Sequence, residues 1–224
     1  MTTPQTVVLG LDGAHFELIQ PWIDDGKLPN IQMAIESGVS SDLHSVLPPV
    51  TSPNWKAYAT GKNPGKLGIF WWENVDVENE RVHYPTDRKN AHTEYWELIG
   101  ESKPVGVLGV PTTHPPRPVN GFLVSGAPDS PDTGYTHPQS LEDKLEADYD
   151  YSVTKRNRLS VNRDEAIEEI LDLIDSRFTV GKDLAEEHGV SLEPSHANEN
   201  TRICAFRIFE MSICKSKCSH MQRY

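Results

Sequence analysis

The sequence predicts an α/β fold with a mainly parallel sheet flanked by helices, and three observations carry that reading. The stretches TVVLGL (6–11), PVGVLGV (104–110) and GFLVSG (121–126) are continuous apolar runs of strand length, bounded by turn residues. That is the pattern of strands covered on both faces. Helical patterns fall between and after these runs, and strands alternating with helices indicate a parallel sheet. The longest helical pattern covers residues 163–188, where Ile167, Ile170, Leu171, Ile174, Phe178, Leu184 and Ala185 share one stripe with acids opposite.

The elements follow in order. The first strand, 6–11, runs into Asp12-Gly13. His15 to Asp24 is helical in pattern, with Pro21 expected to break it into two short pieces. LPNIQMAIESG (28–38) reads as a helix, with Pro29 near its start and Gly38 as its C-cap. VSSDLHSVL (39–47) alternates and reads as a strand. Ser52-Pro53 then starts a helix that runs to Thr60 and stops at Gly61, with Ser52 as N-cap and Pro53 at the first helical position. KNPGKLGIFWW (62–72) reads as a loop ending in an aromatic patch. TEYWELIG (93–100) is a short helix capped by Thr93. The proline-rich stretch PTTHPPRPVN between the next two strands excludes regular structure. HPQSLEDKLEAD (137–148) is helical, so His137 is expected to begin a helix.

The chain has 224 residues and a net charge of −12. Such an acidic balance argues against a nucleic-acid groove or an anionic membrane as partner. No apolar run is long enough for a membrane-spanning helix, and the first residues lack a basic region followed by an apolar one. A cytoplasmic protein is the expectation. The charge is unevenly spread: residues 195–224 hold five Lys/Arg against two Asp/Glu, together with all three cysteines, Cys204, Cys214 and Cys218.

Two short stretches carry chemistry. Asp12 ends a strand where open α/β sheets place ligands. It is either an Asp-Gly turn residue or a hard oxygen ligand for a divalent cation. In VLPPVTSPNW (46–55), Thr51 lies just ahead of a helix N-terminus, where backbone N–H groups and the macrodipole favour a phosphate group. Asn54 offers an amide donor to a phosphate oxygen. The plain alternative makes Ser52 a cap and Thr51 an ordinary loop residue. His15, His114 and His137 are further candidates near such a site. Trp55, Trp71, Trp72 and Tyr84 are candidates for a pocket lining or for core packing.

Residues 7–72 resemble the type I phosphodiesterase/nucleotide pyrophosphatase family of the alkaline phosphatase superfamily. The matching stretches are VVLGLDG, KLPNIQMAIESG and LPPVTSPNWKAYATGKNPGKLGIFWW, in the family's order and spacing. The resemblance implies an alkaline-phosphatase-like sheet and hydrolysis of phosphodiester or pyrophosphate bonds through a phospho-threonine. Thr51 would be the nucleophile and also a metal ligand, Asp12 a second ligand, and Asn54 a phosphate contact. Two divalent ions are implied, zinc first and manganese as the alternative, acting on a small phosphoester or nucleotide-like substrate. A phosphomutase of the same superfamily is the neighbouring activity.

The family's remaining metal ligands, Asp and His residues further along, have no counterpart here. Residues 1–190 therefore read as the N-terminal part of the domain, and 191–224 as a divergent, poorly ordered tail after about residue 189. The expectation is a truncated member, inactive or weak, with a non-catalytic remnant as the rival reading. Within the tail, ICAFRIF is the strand candidate. Cys204, Cys214, Cys218 and His220 could alternatively hold one zinc, although their spacing lacks paired knuckles.

Overall fold

The computed structural model describes residues 6–83, 91–154, 162–188 and the backbone of 203–210. Tyr84, Cys214, Cys218 and His220 lie outside the described residues, as does the Cys204 side chain. The chain divides into two compact units. One comprises Met1–Gly10 with Ser45–Ile208, the other Leu11–His44 with Phe209–Tyr224.

The three apolar runs form strands, β1 (Thr6–Asp12), β4 (Val105–Val110) and β5 (Gly121–Ser125), but only the last two of these are covered on both faces, since Val7, Leu9 and Leu11 of β1 are exposed. Two more strands, β6 (Thr136–His137) and β7 (Ile203–Glu210), complete a five-stranded sheet of order β1-β7-β4-β5-β6. β4 runs parallel to both neighbours, with Val105 opposite Gly121 on one side and Ile203 on the other. β6 is antiparallel to β5. A separate antiparallel pair joins β2 (Asn74–Asp76) to β3 (Arg81–His83).

The centre of the sheet explains why its sequence is apolar throughout, since every residue of β4 is buried. Val105 and Val107 pack with Ala59, Trp96 and Leu123. Leu108, Phe122 and Val124 pack on the opposite side with Leu141, Leu145, Val180 and Leu184. The helices behind these contacts are α3 (Thr51–Thr60) and α5 (Tyr95–Gly100) for the first cluster, and α6 (Leu141–Tyr149) and α7 (Arg163–Glu187) for the second. The result is a mixed α/β layer with helices on both faces of an open sheet. α6 and α7 are clasped by the Tyr149 hydroxyl, which donates to Asp183 at 2.8 Å, and by a Lys144–Glu187 ion pair. Burial first, then the Asp183 hydrogen bond, pushes the Tyr149 hydroxyl up to about 12.

In the other unit, α1 (Phe16–Asp24) is one continuous helix with Pro21 inside it. Pro21 loses one N–H bond, but its carbonyl still accepts from Asp25 N–H at 3.1 Å, so the helix carries through. α2 (Pro29–Ser37) opens with proline as expected.

Several local expectations are corrected. Residues 39–46 form neither strand nor helix, and Val39 and Leu43 are 98% and 95% exposed. Alternation alone makes no strand without a neighbour to pair with. A short helix, α4 (Pro64–Leu67), stands where a loop was expected, and the Asn63 side chain caps it by accepting from Lys66 N–H at 2.9 Å. α5 is capped by Glu94 rather than Thr93, in a capping box with Glu97. His137 belongs to β6, and α6 starts at Leu141.

Candidate functional site

The stretch that carries the chemistry opens α3. Val50 is the N-cap residue in extended conformation, and its side chain makes no cap hydrogen bond. Thr51 is its first residue and is half-buried. The first turn closes when Asn54 N–H donates to the Val50 carbonyl at 3.1 Å. Gly61, with φ of +66°, ends the helix in the left-handed conformation that favours glycine. Ser52 does not cap this helix. It lies inside the first turn, fully buried, with its hydroxyl unpaired among the described residues. Capping needs an extended residue just outside the helix, and Val50 holds that position.

The buried face of α3 follows from spacing. Ser52, Pro53, Lys56 and Ala59 are its buried residues, three and four positions apart. Lys56 is 1% exposed, and its ammonium donates to Glu94 Oε1 at 2.6 Å and to the Thr112 carbonyl at 3.3 Å. Trp96 Nε1 donates to the other Glu94 oxygen at 3.0 Å, and Arg117 lies 3.4 Å from it. Arg117 also pairs with Glu97 and donates to the His92 carbonyl. α3, the cap of α5 and the loop just past β4 are thus tied through the Lys56–Glu94 pair. Sequence reasoning missed this network, because a lysine inside a helix counts as surface. The legible signal was that Lys56 falls on the Ser52–Ala59 stripe.

The Asn54 amide donates to Ser45 Oγ at 2.9 Å, tying α3 to the segment that enters it. Trp55 packs against β1. A Cβ on Gly10 would meet its indole at 2.2 Å, so only glycine lets the ring lie this close. Trp55 then contacts Tyr58 edge to face, and Tyr58 contacts Tyr95, with the two hydroxyls 2.8 Å apart. Trp55 is therefore a packing residue, and Trp71 is the exposed tryptophan at 54%.

Beyond the helix, Lys62 Nζ donates to His92 Nδ1 at 2.9 Å. Burial first, then the charges of Lys62 and Lys56, holds the His92 imidazole below its ordinary range. Asp12 is the last, half-buried residue of β1, followed by Gly13 in a turn. Asp12 falls in the unit Leu11–His44 and Thr51 in the unit containing Ser45–Ile208. His15 is the exposed N-cap residue of α1, and His114 lies in the proline-rich loop after β4.

A family model described as type I phosphodiesterase / nucleotide pyrophosphatase matches residues 6–189, which include the strand ending in Asp12, the Thr51 turn and α7. The chain belongs to this family. No curated protein and no solved structure matches it. Family membership brings the chain into a hydrolase lineage and makes metal dependence a question for its own residues. Among the described residues, no group of three or more His, Cys, Asp or Glu side chains could hold a metal ion. The described residues thus do not by themselves fit the two ions expected of the family. No helix among them is long and apolar enough to cross a membrane.

Proposed function

We propose that this chain carries the nucleophile turn of a phosphodiesterase or nucleotide pyrophosphatase, with Thr51 as the phosphoryl acceptor. One observation supports this above the rest: Thr51 is the first residue of α3, directly after the extended N-cap residue Val50, inside the segment matched by the family. A phosphoryl group on Thr51 would lie at the positive end of the helix macrodipole. Thr51 Oγ1 forms the bond to phosphorus as the bond from phosphorus to the leaving group's oxygen breaks and the hydroxyl proton passes to that oxygen; water then cleaves the Oγ1–phosphorus bond, restoring the threonine hydroxyl and releasing the phosphate monoester. Asn54 serves as a phosphate contact once its amide turns from Ser45. Asp12 is the carboxylate that the family reading assigns to metal. The substrate class is a small phosphoester or nucleotide-like molecule in the cytoplasm. The match ends at residue 189, which supports reading 191–224 as a tail outside the family domain.

The lack of a metal-holding group among the described residues favours a second reading, a remnant that keeps the nucleophile turn without turnover. Both readings are tested by bis(p-nitrophenyl) phosphate hydrolysis with added zinc or manganese. The expected result is slow turnover that Thr51→Ala reduces to background and Ser52→Ala leaves largely intact. Turnover that survives Thr51→Ala removes the phospho-threonine proposal. No turnover above background in the unaltered chain favours the remnant.

A further inference from the structure

Two hollows flank one exposed indole. The larger, about 410 Å³, is lined by Phe70, Trp71, Glu73, Asp76 and His83 among others. The smaller, about 280 Å³, is lined by Trp71, Trp72, Glu73, Pro128 and Asp129. Trp71 and Glu73 are common to both. Trp71 is 54% exposed and Phe70 49%, so two large rings stand in water beside a cavity. Exposed aromatic surface at a concave site is a binding feature more than a packing one.

The charge around these rings has one sign. Three carboxylates line the hollows, and no lysine or arginine does. Asp76 already has partners in Asn79 and, at 3.1 Å, Arg81, while Asp129 accepts from Thr112 N–H at 3.1 Å. Glu73 has no hydrogen bond or ion pair among the described residues. An anionic ligand would meet Glu73 with no ion pair to offset it, since Arg81 is already held by Asp76. A neutral ring would use Trp71 and ignore Glu73. A positive charge on an apolar body uses both, lying over the electron-rich indole face with a carboxylate beside it.

We propose that Trp71 and Glu73 form a binding site, in the larger hollow, for a small organic cation of the quaternary-ammonium or alkylated-amine class. The site is independent of the phosphoryl chemistry proposed for Thr51, and its test needs no turnover.

The full chain is titrated with tetramethylammonium and with choline by calorimetry at pH 8. A neutral isostere of choline, 3,3-dimethyl-1-butanol, and adenosine monophosphate are titrated in parallel. Saturable binding of both cations is expected, with the neutral isostere at least about ten-fold weaker. Glu73→Gln should weaken the cations several-fold and leave the neutral isostere unchanged. Trp71→Ala should abolish binding of either cation. Both side chains are exposed, so circular dichroism should show both variants folded like the parent. Three results overturn the proposal: no saturable cation binding, a neutral isostere as tight as choline, or adenosine monophosphate tighter than choline. Cation binding unchanged in both variants overturns it equally.

Discussion

Lys56 is the residue whose role sequence reading inverted. A lysine is ordinarily a surface residue, yet here it is out of solvent with Glu94 as its partner. Removing one member of such a pair leaves the other charged and buried. Lys56→Met should therefore cost about 3–5 kcal/mol of stability, read by urea unfolding. Lys56→Met with Glu94→Gln should recover a large part, because neither charge is then left alone. Equal stability of the single and double variants would show that the pair does not set the cost. At this scale the places of Asp12 at the end of β1 and of Thr51 and Asn54 in the first turn of α3 were legible, because each lies beside a sharp sequence signal. Glu94, Arg117 and Ser45 were not, since their roles depend on residues far away in sequence. Ser52 was misread as a cap for a related reason. Serine before proline is a common cap pair, and nothing local says that the extended residue is Val50.

Among elements, the contact between β1 and α3 is the most sensitive to a single atom. The methyl group of Gly10→Ala would overlap the Trp55 indole, a rigid ring edge with no flexible tail to move aside. The substitution should lower stability by about 1–3 kcal/mol, measured as a drop in melting temperature. In a Trp55→Ala background the same change should have little effect, since the space is then open. If Gly10→Ala costs as much without the indole, strand propensity rather than packing is the cause. β4 and β5 were readable because strands covered on both faces are apolar at every position. The 39–47 alternation misled because strand pairing, not pattern, makes a strand. α4 was missed because a four-residue helix has no periodicity, and only its Asn63 cap announces it.

At the scale of the whole molecule, two histidines link stability to pH. Burial holds both His92 and His188 below their ordinary value of 6.5, chiefly by penalising the charged ring. The Lys62 ammonium donates to His92 Nδ1, and His188 lies against the Phe122 ring. The folded chain thus binds fewer protons than the unfolded one across this range. Stability is full above pH 6.5 and falls as pH drops through the depressed folded values. Urea unfolding at pH 8, 6.5 and 5 should show the loss below 6.5, and His92→Gln should flatten part of it. A pH-independent midpoint over this range would contradict the linkage. The net charge of −12 adds a second dependence, with the opposite sense for brine. Dissolved ions shorten the reach of surface repulsion to a few ångström, about 3 Å at 1 M salt. Concentrated brine therefore relaxes the acidic exterior. The Lys56–Glu94 pair lies beyond the reach of those ions, so the anchor of α3 keeps its full attraction in brine while exposed charge pairs fade.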